Sequence, residues 1–258
     1  MATFTIFGHT GFVGSHLKNK LKNHNLILPK RGQLKFNKYL GDIIYCIGSD
    51  NWMKEHYNSF MANIGFIPEI IAKNKFKSFT FLSTTRIYKK SINTFENSSF
   101  SINPNYKDDY YNIKKICAES YLTLQKKKIK IIRLSNIYGE NFNSPLVLPN
   151  FINSAIRNGK IYITVNKNSK KDFLNIDDAT DLIYKICVKG KSKIYNLASG
   201  RMISLFKIAK KIQNITGCKI ILKNQKIYIK EPKINISKIK KEFNFKLKKN
   251  LIDDIETL

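Results

Sequence analysis

The sequence predicts an α/β protein with a doubly wound parallel β-sheet that is covered by helices on both faces. Short β-branched and aromatic runs alternate with longer segments of helical periodicity. A glycine-rich turn joins the first such run to the first helical segment. The chain has 258 residues, 43% of them hydrophobic, which is enough to bury a core. This alternation is typical of parallel sheets whose strands are connected through helices.

The order of elements in the first half follows from these patterns. Thr3 to Phe7 is a β-branched and aromatic run that stops at Gly8, and Phe12 to Leu21 has helical periodicity. The later predicted strands are Leu26 to Leu28, Ile43 to Ile47, Phe79 to Leu82 and the strongly β-branched Ile129 to Leu134, and the later predicted helices are Ile64 to Ala72 and Tyr110 to Gln125.

The second half is less regular. A strand, a helix and a strand are still predicted at Lys193 to Leu197, Leu205 to Thr216 and Lys219 to Leu222. No internal repeat and no linker divides the chain. We therefore predict a sheet domain over residues 1–140, to which residues 171–198 return, and a smaller lobe over residues 141–258 that closes over it.

The charge is strongly basic, with 46 Lys and Arg against 18 Asp and Glu, for a net charge of +28. Only five of these cations are arginine, the residue whose bidentate geometry reads bases, and the lysines are spread along the chain. We therefore predict a solvated basic surface that attracts small anions, and no specific nucleic-acid partner. No apolar run is long enough to span a bilayer, so no membrane insertion is expected.

Cysteine and histidine spacing predicts neither disulfides nor a metal site. The four cysteines lie far apart in apolar stretches, which fits a reduced cytoplasm. The four histidines all lie in the first quarter of the chain, and none pairs with a cysteine at a metal-ligand spacing.

The glycine turn contains Gly8, Gly11 and Gly14, between the first strand and the first helix. Glycine permits a tight turn, close approach of a pyrophosphate to the backbone and close packing of helix on strand. The free N–H groups of the helix N-terminus then face the phosphates. The position of this motif at the first strand predicts a dinucleotide site.

The end of the second predicted strand indicates which dinucleotide is bound. Sites that prefer NAD usually carry an acid there for the ribose 2′-hydroxyl, but the first acid of this chain is Asp42. The strand ends instead in Pro29-Lys30-Arg31, and a basic pair favours the 2′-phosphate of NADP. We predict NADP, with NAD as the alternative.

Two Tyr-x-x-x-Lys pairs lie on the predicted helix Tyr110 to Gln125: Tyr110 with Lys114, and Tyr111 with Lys115. Residues four apart share one face of a helix. The tyrosine pKa is normally near 10, and a neighbouring ammonium lowers it by stabilising the phenolate. Spacing alone does not choose between the pairs in a chain so rich in lysine. The hydroxyls of Ser83-Thr84-Thr85 follow a predicted strand, at the edge where such sheets bind ligands.

Further motifs follow the glycine turn in a fixed order along nearly the whole chain. The full set is Gly8-x-x-Gly11-Phe12-x-Gly14, Asp42 to Gly48, Asn63-Ile64-Gly65, Ser83 to Tyr88, Tyr111-Asn112-Ile113-Lys114-Lys115 with Glu119, Arg133 to Gly139, Lys171 to Asp178 and Tyr195 to Gly200. With these motifs the chain resembles the extended short-chain dehydrogenases/reductases of the nucleotide-sugar epimerase, dehydratase and reductase group. The resemblance implies a Rossmann-type fold with a small C-terminal substrate-binding lobe. By this resemblance, the position of Tyr88 selects Thr84 as the family's catalytic hydroxyl, and Glu119 selects Tyr111 over Tyr110.

The resemblance also implies residue roles. Tyr111 would act as acid or base on a sugar hydroxyl or ketone, Lys115 would hold the nicotinamide ribose and tune the tyrosine, and Thr84 would bond the reacting oxygen. The residues expected at the cofactor are Gly8, Thr10, Gly11, Phe12, Val13, Gly14, Lys30, Arg31, Cys46, Gly48, Asn63, Ser83, Tyr111, Lys115 and Asn136. Those expected at the substrate are Thr85, Arg86, Asn136, Arg157, Lys171 and Arg201.

Departures from the family's motifs reduce the number of reactions that we expect. Thr85 and Arg86 stand where the 4,6-dehydratases carry an Asp-Glu pair, and no histidine follows His56, so dehydration and epimerisation beside a ketone are disfavoured. Two reactions stay open: 4-ketosugar reduction with NADPH, preferred for the basic end of the second strand, and 4-epimerisation with tightly bound NAD. A non-catalytic NADP-binding regulator or a basic nucleic-acid-binding protein is the alternative of another class.

Further departures concern the scaffold and the surroundings of the tyrosine. Lys114 replaces the usual serine, and Lys171 stands where arginine is common. The short separation of Pro29 from Ile43 predicts that the family's third strand and its helix are missing. The resemblance further implies a cytoplasmic homodimer, formed through the helix Tyr110 to Gln125, that acts on a nucleotide sugar in polysaccharide biosynthesis.

Overall fold

The computed structural model describes residues 1–48, 55–140, 146–229 and 231–258. Its strands are β1 (Thr3–Phe7), β2 (Asn25–Ile27), β3 (Asp42–Tyr45), β4 (Ser78–Thr84), β5 (Ile129–Leu134), β6 (Asn136–Tyr138), β7 (Lys160–Ile163), β8 (Lys170–Asn175), β9 (Ile194–Leu197), β10 (Met202–Ser204) and β11 (Lys219–Leu222). Its α-helices are α1 (Phe12–Lys20), α2 (His56–Phe60), α3 (Phe66–Lys73), α4 (Asp109–Thr123), α5 (Val147–Asn158), α6 (Ile176–Lys189), α7 (Leu205–Thr216), α8 (Ser237–Phe243) and α9 (Leu251–Asp254). A π-helical turn (Met61–Gly65) joins α2 to α3, and a 3₁₀ turn (Thr85–Tyr88) follows β4.

The main sheet has six parallel strands in the order β2-β1-β3-β4-β5-β9, which confirms the predicted fold class. Residues 28–41 contain no helix or strand, so β2 is followed directly by an irregular connection to β3. This is the shortened connection that the separation of Pro29 from Ile43 predicts.

Alternate residues of the central strands pack on opposite faces of the main sheet. On β3, Ile44 packs with α1 and α6, whereas Ile43 and Tyr45 pack with α3 and α4. On β4, Leu82 likewise packs with α1 and α6, whereas Phe81 packs with α3 and α4. Both faces are therefore covered, which explains why the strands are almost uninterrupted runs of buried residues.

The second half of the chain forms a separate small core around α5 and α7. The short strands β6, β8 and β10 form one sheet, and β7 pairs with β11 in another. β8 joins β6 and β10, whereas β9 joins the main sheet beside β5. The division into residues 1–140 and 141–258 stays a prediction.

The predicted element boundaries agree best with the structure where the sequence periodicity is strong. β1, β5, α7 and β11 have the predicted limits. The helix predicted over Ile64 to Ala72 is instead the last part of a continuous helical segment that begins at His56 and includes the π-helical turn. The elements from β6 to β8, together with α6, β10, α8 and α9, were not predicted from periodicity. Among these elements, β8 and the start of α6 are recognisable in the sequence only through the motif Lys171 to Asp178.

Candidate active site

Parallel pairing brings the predicted motifs to one edge of the main sheet. β1, β3, β4 and β5 are adjacent, and their carboxyl ends therefore lie side by side. The segments that leave these ends are the glycine turn, residues 46–48, the 3₁₀ turn and Asn136. Sequence positions far apart along the chain thus meet at one place.

The glycine turn packs backbone against backbone. Gly8 has φ +81°, and a Cβ at this position would lie 2.9 Å from the backbone nitrogen of Ile47. A Cβ at Gly14 would lie 2.1 Å from the carbonyl oxygen of Gly8. Gly11 is the N-cap of α1 and no side chain caps the helix. The first amides of α1 are thus available to an anion, as a dinucleotide diphosphate requires.

Lys30 and Arg31 follow β2 beside this turn. The register pairs Thr5 of β1 with Ile27 of β2, so that Lys30 is three residues beyond Ile27 just as Gly8 is three residues beyond Thr5. The backbone N–H of Lys30 donates to the Gln33 side chain at 3.1 Å, and the Gln33 N–H donates back to the Lys30 carbonyl at 3.0 Å. Both basic side chains are exposed at the surface.

The three predicted catalytic residues come from β4 and α4. Thr84 ends β4, and its Oγ1 accepts a hydrogen bond from the Arg86 N–H at 3.1 Å. Lys115 is buried against β4, where its ammonium donates to the Leu82 carbonyl at 2.9 Å. Tyr111 lies one turn before Lys115 on the same helix and is half-buried. The structure therefore places a hydroxyl, a phenol and an ammonium on neighbouring elements at the carboxyl edge.

Two buried lysines occupy successive positions of α4. Burial lowers the pKa of Lys115 to about 8, and the like charge of Lys114 acts in the same direction. Lys114 is 1% exposed, and burial lowers its pKa to about 8 as well. Its ammonium contacts the Ser59 hydroxyl on α2 and lies 4.1 Å from the centroid of the Tyr110 ring. Lys114 therefore connects α4 to α2 and does not extend into solvent.

Replacing Lys114 by methionine is expected to stabilise the fold in a pH-dependent way. The folded pKa is about 8 and the unfolded value about 10.4, so below pH 8 the wild-type protein buries a charge on folding. The methionine variant should melt several degrees higher at pH 7, and this advantage should shrink as the pH rises toward 10.4. Thermal unfolding from pH 7 to 10.5 measures it, with the exposed Lys126→Met as control. A difference that stays constant with pH would show that Lys114 is not the titrating group.

A buried polar network lies beside β4, the strand that ends at Thr84. The Arg133 guanidinium makes a bidentate ion pair with Glu119, with its Nη2 2.6 Å from Oε2. Arg133 Nη1 also donates to the Tyr88 hydroxyl at 2.6 Å. The Ser83 hydroxyl donates to Glu119 Oε1 at 2.5 Å, so this predicted cofactor residue has its side chain in the network. The network joins α4, β4, β5 and the 3₁₀ turn. Glu119 and Arg133 were visible in the sequence as motif members, but their pairing was not.

Two buried asparagine oxygens lie near the same edge without a hydrogen-bond partner among the described residues: Asn63 Oδ1 and Asn112 Oδ1. The Asn63 amide nitrogen donates to the Ser59 carbonyl at 2.8 Å, which fixes the side chain within the π-helical turn. Buried oxygens normally have a donor. Asn63 therefore has an oxygen that could accept a hydrogen bond from a molecule bound near the glycine turn. Cys46, another predicted cofactor residue, is largely covered beside Lys115, and burial raises the pKa of its thiol.

A cavity of about 160 Å³ separates the glycine turn from the second half of the chain. Asn136 and Lys171, both expected at the substrate, line it, and so does Phe12, expected at the cofactor. The Asn136 amide donates to the Asp172 carbonyl at 2.8 Å, and the Lys171 ammonium lies 2.7 Å from a Glu231 carboxylate oxygen. The other lining residues are Ile137, Tyr138, Gly139, Leu146, Val147, Leu148, Pro149 and Phe173. An apolar wall with a few polar groups is typical of a ligand pocket.

Other predicted substrate residues lie outside this cavity. Arg157 is exposed in the last turn of α5, eight residues beyond the lining residue Pro149, or about 12 Å along the helix axis. The Thr85 hydroxyl donates to the Leu134 carbonyl at 3.3 Å and so fastens the 3₁₀ turn to β5. Arg201 has an exposed side chain, and its backbone N–H donates to buried Asp172 at 3.1 Å. The structure thus does not bring Arg157, Thr85 and Arg201 to the cavity wall.

The parallel sheet, the glycine turn after its first strand and the hydroxyl, tyrosine and lysine at its carboxyl edge define an enzyme of the extended short-chain dehydrogenase/reductase type. Residues 67–198 match the model of the NAD dependent epimerase/dehydratase family, and the chain belongs to this family. The resemblance stated from the sequence motifs is confirmed.

Two curated relatives match part of the chain. A dTDP-4-dehydro-6-deoxyglucose reductase of Escherichia coli is 25% identical over 210 residues, or 63% of this chain and 66% of the relative. A GDP-6-deoxy-D-talose 4-dehydrogenase of Aggregatibacter actinomycetemcomitans is 21% identical over 129 residues, or 49% of this chain and 44% of the relative. The chain thus spans from under half to about two thirds of the length of these relatives.

Solved structures share the fold at low identity. RMD from Pseudomonas aeruginosa, complexed with NADPH, has a TM-score of 0.78 at 14% identity, covering 98% of this chain and 95% of that one. A UDP-glucose 4-epimerase of Thermotoga maritima with UDP-glucose has a TM-score of 0.78 at 19% identity, covering 97% and 95%. MoeE5 in complex with UDP-glucose and NAD has a TM-score of 0.80 at 13% identity, covering 99% and 96%. Two of these neighbours hold a nicotinamide cofactor, which is NAD in MoeE5 and NADPH in RMD. Among the residues that the structure describes, no helix is long and apolar enough to cross a membrane.

Proposed function

We propose that the protein reduces a 4-ketosugar carried on a nucleotide, with NADPH as the hydride donor. The observation that carries this proposal is the placement of Thr84, Tyr111 and Lys115 at the same sheet edge as the glycine turn. The nicotinamide supplies a hydride to the carbonyl carbon when it is bound. The protein's part is to hold the ketone and deliver a proton to its oxygen.

The residues at the edge fit a dinucleotide. The space that Cβ atoms would fill at Gly8 and Gly14 is taken by backbone, which leaves a smooth turn at the N-terminus of α1 for the diphosphate. The unpartnered Asn63 oxygen offers a further acceptor. We propose that Gly8, Thr10, Gly11, Phe12, Val13 and Gly14 bind the diphosphate side, and that Lys115, Tyr111, Cys46, Gly48, Asn63 and Asn136 lie toward the nicotinamide.

Proton transfer is assigned to Tyr111. As the ketone carbon gains a hydride, its oxygen gains charge, and the phenol supplies the proton that neutralises it. The Thr84 hydroxyl donates to the same oxygen and holds it in position. The Lys115 ammonium stabilises the phenolate that is left behind. Solvent then returns a proton to Tyr111 before the next turnover.

Preference for NADPH is supported by the exposed pair Lys30 and Arg31 beside the glycine turn. The Escherichia coli relative is named as a reductase of a 4-dehydro sugar, which supports the same direction. We propose that the nucleotide sugar enters the cavity between Phe12 and Lys171, with Asn136 in its wall. Residues 1–140 then serve as the cofactor domain, and residues 141–258 as the substrate lobe.

Native mass spectrometry of the purified protein, before and after addition of equal NADP(H) and NAD(H), tests the proposal. A reductase should bind NADP(H) preferentially and exchange it freely. A protein that retains NAD and does not exchange it would be a 4-epimerase, and Lys30 and Arg31 would then have no cofactor role.

Replacing Arg31 by aspartate is expected to weaken NADPH binding at least tenfold and to leave NADH binding almost unchanged. An aspartate repels the 2′-phosphate and can accept from a ribose 2′-hydroxyl instead. Isothermal titration calorimetry with both cofactors measures the two constants. Arg157→Asp, at the distant end of α5, makes the same charge change as a control. Equal losses from the two variants would mean that only the net charge matters.

We propose that the protein is a homodimer and that α4 lies in its interface. Leu124, directly after α4, is 80% exposed, and Tyr57 and Phe60 on the neighbouring α2 are 74% and 44% exposed. Exposed apolar side chains on adjacent helices are typical of an association surface. Sedimentation equilibrium decides between a monomer and a dimer.

A further inference from the structure

Arg86 lies between the two side chains that the proposed function places at the reacting oxygen. It is the second residue of the 3₁₀ turn, and its backbone N–H donates to Thr84 Oγ1 at 3.1 Å. Its guanidinium carbon lies 5.7 Å from the centroid of the Tyr111 ring. The side chain is 35% exposed. Arg86 thus contacts Thr84 through its backbone and Tyr111 through its charge.

We propose that Arg86 is a positioning residue that stabilises the phenolate of Tyr111, in addition to Lys115. The inference rests on the proposed function, in which Tyr111 gives up and regains a proton. A guanidinium over an aromatic face is attracted by the ring electrons, and the attraction grows when the ring oxygen becomes negative. Arg86 therefore favours ionisation of Tyr111 and also fixes the orientation of its ring.

Without Arg86, the positive charge that stabilises the Tyr111 phenolate would come from the Lys115 ammonium, which is protonated only over a limited pH range. Its ammonium donates to the Leu82 carbonyl and lies 4.7 Å from the centroid of the Phe81 ring, in a buried position. Burial lowers its pKa to about 8, so above that pH the amine is largely neutral. A guanidinium stays protonated throughout this range. Arg86 places such a guanidinium over the Tyr111 ring.

Other charged groups surround the tyrosine and bear on its titration. The Asp108 carboxylate lies 4.0 Å from Arg86 and 3.7 Å from Lys89, so two cations share one acid. Asp109 is paired with Lys90 at 3.2 Å. Further titratable groups on the neighbouring helical elements include His56, Tyr57, Tyr88, Tyr110, Lys114, Lys115, Cys117, Glu119 and Tyr121, and Glu55 directly precedes α2. Asp108 is thus shared between Arg86 and Lys89, whereas Asp109 pairs with a separate lysine.

Ultraviolet difference titration of the free enzyme tests the inference without substrate or cofactor. The absorbance of a Tyr111→Phe protein is subtracted from that of the parent, which isolates the phenolate of Tyr111 among the tyrosines. The same subtraction in the Arg86→Gln background should give a Tyr111 pKa about one unit higher, or tenfold less phenolate at a given pH. Arg86→Lys should shift it less, since the positive charge is kept.

Lys89→Gln is the matched control, because it removes a cation that shares Asp108 but that contacts the Tyr106 ring and not Tyr111. This variant should leave the Tyr111 titration unchanged. Arg86→Met provides a second neutral variant should the glutamine protein fold poorly, which near-ultraviolet circular dichroism would show.

An unchanged Tyr111 titration in Arg86→Gln would overturn the inference. A raised KM with an unchanged titration would mean instead that Arg86 binds substrate, which would overturn it equally. Failure of the proposed function is a separate result, because it would appear as full turnover by Tyr111→Phe whatever the titration shows.

Discussion

Replacing Tyr111 by phenylalanine is expected to lower kcat by about 10²–10⁴-fold while the dissociation constant of the cofactor changes less than about twofold. The variant loses the hydroxyl that transfers the proton but keeps the ring that packs beside Arg86. Steady-state kinetics with a 4-ketosugar nucleotide and calorimetric titration of the cofactor measure the two effects. The combination distinguishes a catalytic tyrosine from one that only binds.

Tyr110→Phe is the matched control for this prediction. Tyr110 forms the other Tyr-x-x-x-Lys pair of α4, with Lys114 over its ring, and its hydroxyl donates to the His56 carbonyl at 3.3 Å. These contacts attach it to α2 and not to β4, so its loss should change kcat only a few-fold. A catalytic loss in Tyr110→Phe with full activity in Tyr111→Phe would reverse the assignment. Full activity in both would favour a non-catalytic regulator.

Replacing Arg133 by methionine is expected to destabilise the protein by about 3–5 kcal/mol, which lowers Tm by roughly 10 °C. Arg133 is 3% exposed, and its removal leaves the buried Glu119 carboxylate without its cation. The same change removes the donor to the Tyr88 hydroxyl. Thermal and urea unfolding measure the loss. The exposed pair Lys73–Glu69, at 2.7 Å, provides the comparison, since Lys73→Met should cost less than about 1 kcal/mol.

The double variant Arg133→Met/Glu119→Met tests the physical cause. If the cost comes from the orphaned charge, removing both partners should recover part of the stability lost by Arg133→Met alone. If the double variant is as unstable as the sum of the single ones, the pair is held by packing and not by charge. The network also reaches the site, because Ser83 precedes Thr84 and Glu119 lies one turn after Lys115. Loss of kcat in both variants is therefore expected as well.

The sequence by itself determined the sheet and the glycine turn, and its family motif favoured Tyr111 over Tyr110. These features depend on local patterns: β-branched runs bounded by glycine or proline, helical periodicity and motifs of fixed spacing. The family signature also located Glu119 and Arg133 as single positions. Beyond Gly139 the local pattern was weak, since a strand such as β10 has only three residues and is stabilised by its neighbours.

The tertiary structure decided which side chains meet, because contact between distant residues depends on packing that no local pattern encodes. It buried Lys114 against α2, and it placed the Ser83 hydroxyl on Glu119. It separated Arg157 from the cavity by the length of α5. It also set the Arg86 guanidinium over Tyr111, although the two residues are 25 positions apart in sequence. Their meeting follows from the packing of α4 against the 3₁₀ turn at the end of β4, and this packing brings a fixed positive charge to the proposed proton donor.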